Sequence, residues 1–232
     1  MVTGGEAVTK KDGFDARWIV CLFHMLNYRT MSDFSERMEK LYEDMQKAYD
    51  DVAAHYGSFS CGGCTDNCCT QRFFHHTLAE YRYLKEGLME ALSVDPELVR
   101  SMLIKARVVV DTYQKEAESG EILPLMCPAN FEGLCRLYKH RPMICRLHGL
   151  PHRYRRPDGR EERGTGCARF EGMHKTDWTV NRSRLYTDLA AVEADVRRAS
   201  GFRGRYALTT AEMITNMLAE EPELQALLVE DE

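Results

Sequence analysis

The sequence predicts a mainly α protein, a helical domain enclosing a loop-rich metal site built from cysteines. Three observations carry this. Apolar residues recur at steps of three and four through most of the chain. The stretch from Glu121 to Arg169 instead breaks into short, turn-rich pieces. Eight of the nine cysteines fall in two batches, Cys61, Cys64, Cys68 and Cys69, then Cys127, Cys135, Cys145 and Cys167, with Cys21 apart.

Taken in order, residues 1–30 read as an N-terminal extension, and 31–232 as a single α-helical domain that opens near Met31-Ser-Asp-Phe-Ser-Glu. From Ser32 to Tyr56, Phe34, Met38, Leu41, Met45, Tyr49, Val52 and Tyr56 share one helical face, with acids and lysines opposite, and Gly57 ends it. A second helix is expected from His76 to Leu92, striped by Leu78, Tyr81, Leu84, Leu88 and Leu92. Asp95-Pro96-Glu97 combines an N-cap residue, a first-turn proline and an early acid, so a third helix starts there and Gly120 closes it. Helical spacing returns from Thr179 to Ser200, followed by Gly201. Two short helices over Thr210–Glu220 and Pro222–Val229 finish the chain.

Apolar residues at 44% and charged residues at 29% fit an ordinary folded domain, and 232 residues can bury a sizeable core. The net charge of -5 argues against a generally basic protein. Its distribution is uneven: Arg136 to Arg169 holds ten Arg/Lys against three Asp/Glu, a local +7, so the remainder carries -12. The apolar run Trp18–Tyr28 is interrupted by His24 and is too short to span a bilayer. Many free thiols suit a reducing compartment, so the expected location is cytoplasmic, without a membrane partner.

Between Glu121 and Arg169 the signals are Cys-Pro, Glu-Gly, Arg-Pro, His-Gly and Pro-Asp-Gly. Such a segment buries little apolar surface alone, and a metal would supply the missing cohesion. An odd cysteine count also disfavours a closed disulfide framework. Cys61-Gly-Gly-Cys64 turns tightly enough to bring two thiolates to one ion, at about 2.3 Å each for zinc. Cys68 and Cys69 are adjacent, so their side chains diverge and rarely serve one tetrahedral ion together. Eight sulfurs would fill two four-thiolate zinc sites, or leave four spare around one four-iron cluster. Zinc and an iron–sulfur cluster therefore both stand as the cofactor.

The order Cys61-Gly-Gly-Cys64, Cys68-Cys69, Cys127-Pro128 and then Cys135-Arg-Leu-Tyr138-Lys-His-Arg141-Pro142-Met-Ile-Cys145-Arg146 resembles a known family. It is similar to the zinc- or iron-chelating proteins named for a CxxCxxCC cluster, the YkgJ-like family, with Cys167 in the place of a trailing cysteine. The resemblance covers residues 58–170. It implies metal chelation and, through a distant branch of flagellin lysine methylases, an iron–sulfur-dependent transferase as the alternative to a binding module. No Gly-rich strand-turn-helix loop for S-adenosylmethionine is visible.

Other residues carry weaker signals. His75, His76, His148 and His152 suit zinc or iron chemically, yet eight thiols leave them at the surface or beside the ligands, with His148 nearest, three residues beyond Cys145. Arg141 and Arg146 would offset the charge of a metal–thiolate centre. Arg153, Arg155, Arg156, Arg160 and Arg163 are less well explained that way, and an anionic partner stays open for them. Tyr154 is the lone aromatic between Arg146 and Arg169, so a nucleic-acid partner is not expected. A thiol-redox role for Cys61 and Cys64 would want a βαβ setting, and the flanking pattern is helical.

Overall fold

The computed structural model describes residues 28–57, 68–120, 123–170 and 178–229, without the side chains of 28–32, 68, 118 and 119. Cys21, Cys61 and Cys64 lie outside the described residues, as do 1–27 of the expected extension. The architecture is mainly α, as the periodicity requires. Seven helices are described: α1 (Tyr28–His55), α2 (Leu78–Val94), α3 (Pro96–Ser119), α4 (Met143–Leu147), α5 (Ser183–Ser200), α6 (Thr210–Glu220) and α7 (Pro222–Ala226). None of them is long and apolar enough to cross a membrane.

Helix α1 buries Phe34, Met38, Leu41, Met45, Tyr49 and Val52, the stripe the spacing gives, and adds Tyr42. Helix α2 is a different object from the one-sided helix expected. It is wrapped by α1, α3, α5 and α6. Beyond its leucines it therefore buries Glu80, Arg82 and Tyr83 as well. Charged groups survive there because each has partners. The Thr77 hydroxyl and the Met143 N–H both donate to the Glu80 carboxylate, at 2.7 and 2.8 Å. The Arg82 guanidinium lies over the Phe34 ring at 4.1 Å, with Glu86 3.8 Å away.

Helix ends follow local chemistry. Thr77 caps α2 by accepting from the Glu80 N–H, and Asp95 caps α3 by accepting from the Leu98 N–H at 3.0 Å. Gly120 and Gly201 end α3 and α5 in the left-handed conformation, at φ 76° and 69°. Thr209 and Glu212 form a capping box at the start of α6. The Ala79 N–H in the first turn of α2 finds a tertiary acceptor, the Glu193 carboxylate of α5, at 2.9 Å.

The turn-rich middle contains strand pairs that periodicity did not reveal. β1 (Asn130–Phe131) and β2 (Leu134–Cys135) form a minimal hairpin. Its turn residues Glu132 and Gly133 both have positive φ, 54° and 81°, the condition for a twist-matched two-residue turn. β3 (His152–Arg155) pairs antiparallel with β4 (Glu161–Gly164) and parallel with β5 (Val180–Asn181). The strand β5 occupies the start of the expected helix, so α5 begins at Ser183, four residues after Thr179.

Candidate metal centre

Four segments deliver Cys69, Cys127, Cys135 and Cys145. Cys68 and Cys69 open a single 3-10 turn, Cys68–Thr70. The Cys127 N–H donates to the Cys69 carbonyl at 2.9 Å, which ties the first batch directly to the second. The Asn130 N–H donates to the Cys127 carbonyl and the Arg136 N–H to the Ala129 carbonyl, folding the β1–β2 hairpin back beside it. Cys135 ends β2, and Cys145 sits in the middle of α4.

Cys69, Cys127, Cys135 and Cys145 line one cavity of about 330 Å³ together with Arg141, Arg146 and His148. All are free thiols. They do not close into a ligand shell as they lie: among the described residues, no group of three or more His, Cys, Asp or Glu is set to hold an ion. Cys167 goes elsewhere. It is buried in the apolar core, its N–H donating to the Gly149 carbonyl and its carbonyl accepting from the Phe170 N–H, each at 2.9 Å. It does not line the cavity with the other four.

The sulfurs' surroundings combine two opposing influences. Burial pushes the Cys127 thiol up to about 12 and Cys145 well above its ordinary range, and neighbouring thiols push the same way. Cys135 is raised too, again by burial first. Against this, N–H groups two residues onward point back at sulfur, from Ala129 to Cys127 and from Leu137 to Cys135. Arg141 favours the thiolate at both Cys135 and Cys145.

The two arginines are placed unusually. Arg146 is only 5% exposed, and its guanidinium donates to the carbonyls of Tyr138 (3.0 Å) and Lys139 (2.7 Å) and to Gln46 of α1 (3.2 Å). Its Nε has no partner, nor does the buried Nε of Arg141, whose guanidinium lies over the Tyr138 ring at 3.8 Å. Among the described residues, no carboxylate pairs with either one. Arg141 and Arg146 line the same cavity as the four thiols. His148 is also on this wall, its ring 5.1 Å from Phe73.

Several residues that build the site carried no local signal. Glu80 anchors the start of α4, and hence Cys145, from 63 residues away. Thr210, at the start of α6, lines the same cavity as Cys127. His75 is not at the surface; it is 2% exposed and touches Thr210. His152, half-buried on β3, is pushed down to about 4 by burial and by the nearby Arg182. The hairpin arginines spend charge locally: Arg153 pairs with Glu161, Arg156 with Glu162 and Asp158, and Arg163 with Glu161.

Fold and site together define a mainly helical protein with a thiol-lined cavity. No family model matches the chain, and no curated protein or solved structure matches it.

Proposed function

We propose that this is a metal-binding protein, whose cavity holds zinc or an iron–sulfur cluster through Cys69, Cys127, Cys135 and Cys145. One observation carries the reading: four thiols share a cavity with two guanidiniums that have no carboxylate partner among the described residues. A buried cation without a counter-charge is costly, and so is a buried anion. A four-thiolate zinc or four-iron centre carries a net charge of about -2, so Arg141 and Arg146 would neutralise it. The N–H groups aimed at Cys127 and Cys135 sulfur add support, because they favour the ligating thiolate over the thiol. When bound, such a group would tie the 127–147 loop to the helices around it. The sequence resemblance to cysteine-cluster chelating proteins points the same way, with Cys61, Cys64 and Cys68 as further ligand candidates.

The test is anaerobic purification followed by metal and acid-labile sulfide analysis of the wild type and of Cys127→Ser, Cys135→Ser and Cys145→Ser. Stoichiometric metal lost in each variant is the expected result. A wild type that cannot be loaded with zinc, or with iron and sulfide, ends the proposal. A transferase reading draws on cavity volume, which lies at the lower end of the range for small-molecule sites. A rise in melting temperature of the loaded protein with S-adenosylmethionine would favour it.

A further inference from the structure

We infer that Cys69 and Cys127 form a thiol–disulfide site: in the metal-free chain a small-molecule disulfide such as glutathione disulfide oxidises the pair to an internal bridge, and bound metal blocks the reaction. The bridge itself does not rest on the metal reading of the cavity; its suppression by metal does.

The backbone sets the pair together, although α2 and α3 separate the two cysteines along the chain. The Cys127 N–H donates to the Cys69 carbonyl at 2.9 Å. A main-chain bond of this kind leaves the two Cα atoms about 5–6 Å apart, inside the span of roughly 4.4–6.8 Å that a disulfide requires. Both residues line the same cavity, and both are free thiols. Cys135 instead faces Asn130 across the hairpin, and Cys145 sits within α4.

A second hold lies close by. The buried Glu116 carboxylate accepts from the Arg72 guanidinium and from the Leu123 N–H, the latter at 2.6 Å. Arg72 follows Cys69 by three residues, and Leu123 precedes Cys127 by four. One carboxylate of α3 therefore pins both approaches to the pair without calling on either sulfur.

Such a pair favours bridging over a lasting adduct. One cysteine thiolate attacks a sulfur of glutathione disulfide, the S–S bond breaks, and one glutathione thiolate leaves. The neighbouring thiolate then attacks the protein sulfur of that mixed disulfide and displaces the second glutathione. Two electrons pass from the cysteines to the oxidant, and the two thiol protons end on glutathione. The second step is intramolecular, between residues already held side by side, so it outruns exchange with another glutathione. Bridging consumes two of the four cavity sulfurs. Only a thiolate ligates a metal, so oxidation and metal retention exclude each other here.

The full chain, stripped of metal by a chelator under reducing, anaerobic conditions, is exchanged into glutathione disulfide. Mildly alkaline pH offsets the raised Cys127 thiol. Remaining thiols are alkylated, and the chain is cleaved after acidic residues. Cuts at Asp66 and Glu132 part Cys69 from Cys64 and Cys127 from Cys135. The expected product is a Cys69–Cys127 linked peptide in wild type and in Cys68→Ser. It should be lost in Cys69→Ser, and in Cys127→Ser be replaced by a glutathione adduct on Cys69. Preloading with Zn²⁺ should slow the bridge about tenfold. A wild-type Cys127 that stays unlinked, or that links to Cys68 or Cys135, overturns the inference, and this map decides it alone should a variant fail to fold. Equal bridging with Zn²⁺ bound overturns the blocking by metal. A chain that bridges and yet takes up neither zinc nor iron with sulfide ends the metal reading and leaves the bridge standing.

Discussion

The seam between α3 and α6 and the loop from Cys127 to Leu147 are held together by opposite means. Along the seam, Val99, Met102, Leu103 and Ala106 meet Met213, Ile214 and Met217, all of them almost wholly buried. Polar contacts flank the seam: Tyr81 of α2 donates to Glu220 of α6 at 2.7 Å, and Arg100 of α3 to the Leu227 carbonyl just after α7 at 3.1 Å. The loop has few such side chains. Its backbone is instead gripped by polar groups from elsewhere: Glu80 accepts from the Met143 N–H, Lys105 donates to the Asn130 carbonyl, and Arg182 to the Leu147 carbonyl. Arg146 does the same from inside the loop. An apolar seam tolerates small shifts, because dispersion and hydration are non-directional. A backbone held by single directional bonds does not, which suits a site whose thiols must stay in register.

The largest expected effect comes from breaking the seam. Met102→Ala should cost about 2–5 kcal/mol in urea unfolding, with an unchanged slope, because a buried side chain is removed from a close-packed interface. The thiols should retain their metal uptake until the whole domain unfolds.

Acid should act where the two regions meet. The folded chain refuses a proton at His75 until about pH 4, while the unfolded chain accepts one near 6.5. The unfolded state thus binds more protons in that window, and stability falls as pH falls through it, by on the order of 3 kcal/mol at the lower end. Denaturation curves at stepped pH should show this slope, and His75→Phe should flatten it. An equal slope in the variant would assign the loss to other groups.

Next comes the grip on the loop. Glu80→Leu leaves the Met143 N–H and the Thr77 hydroxyl without their acceptor and should cost about 2 kcal/mol. Hydrogen exchange should quicken selectively at the α4 amides while α3 and α6 remain protected; uniform acceleration would mean that the two regions are not separable. The smallest effect is expected on the β3–β4 hairpin. Glu161→Gln removes an exposed carboxylate shared by Arg153 and Arg163 and should leave the melting temperature unmoved.

Local chemistry made much of the helical frame readable. Asp95, Pro96 and Gly120 bound α3, because a cap, a fixed φ and a left-handed stop act within a few residues. The α1 stripe was legible for the same reason: periodicity is a local property of the chain. Helix α2 was legible in existence and not in environment. Nothing near Glu80 or Arg82 announces that α5 covers one side and α4 abuts another. The β3–β5 pairing was hidden as well, since His152 and Val180 are joined across an intervening strand.

The same division runs through the candidate site. By itself the sequence determined that thiols gather in two batches and that Arg141 and Arg146 travel with the second, because spacing and composition are carried by contiguous residues. Only the tertiary structure decided that Cys69, Cys127, Cys135 and Cys145 face one cavity while Cys167 enters the core. It also brought Glu80, His75 and Thr210 to their places around the cavity. Those choices depend on which helix packs where, and a buried polar group finds its partner in space, however many residues separate the two along the chain.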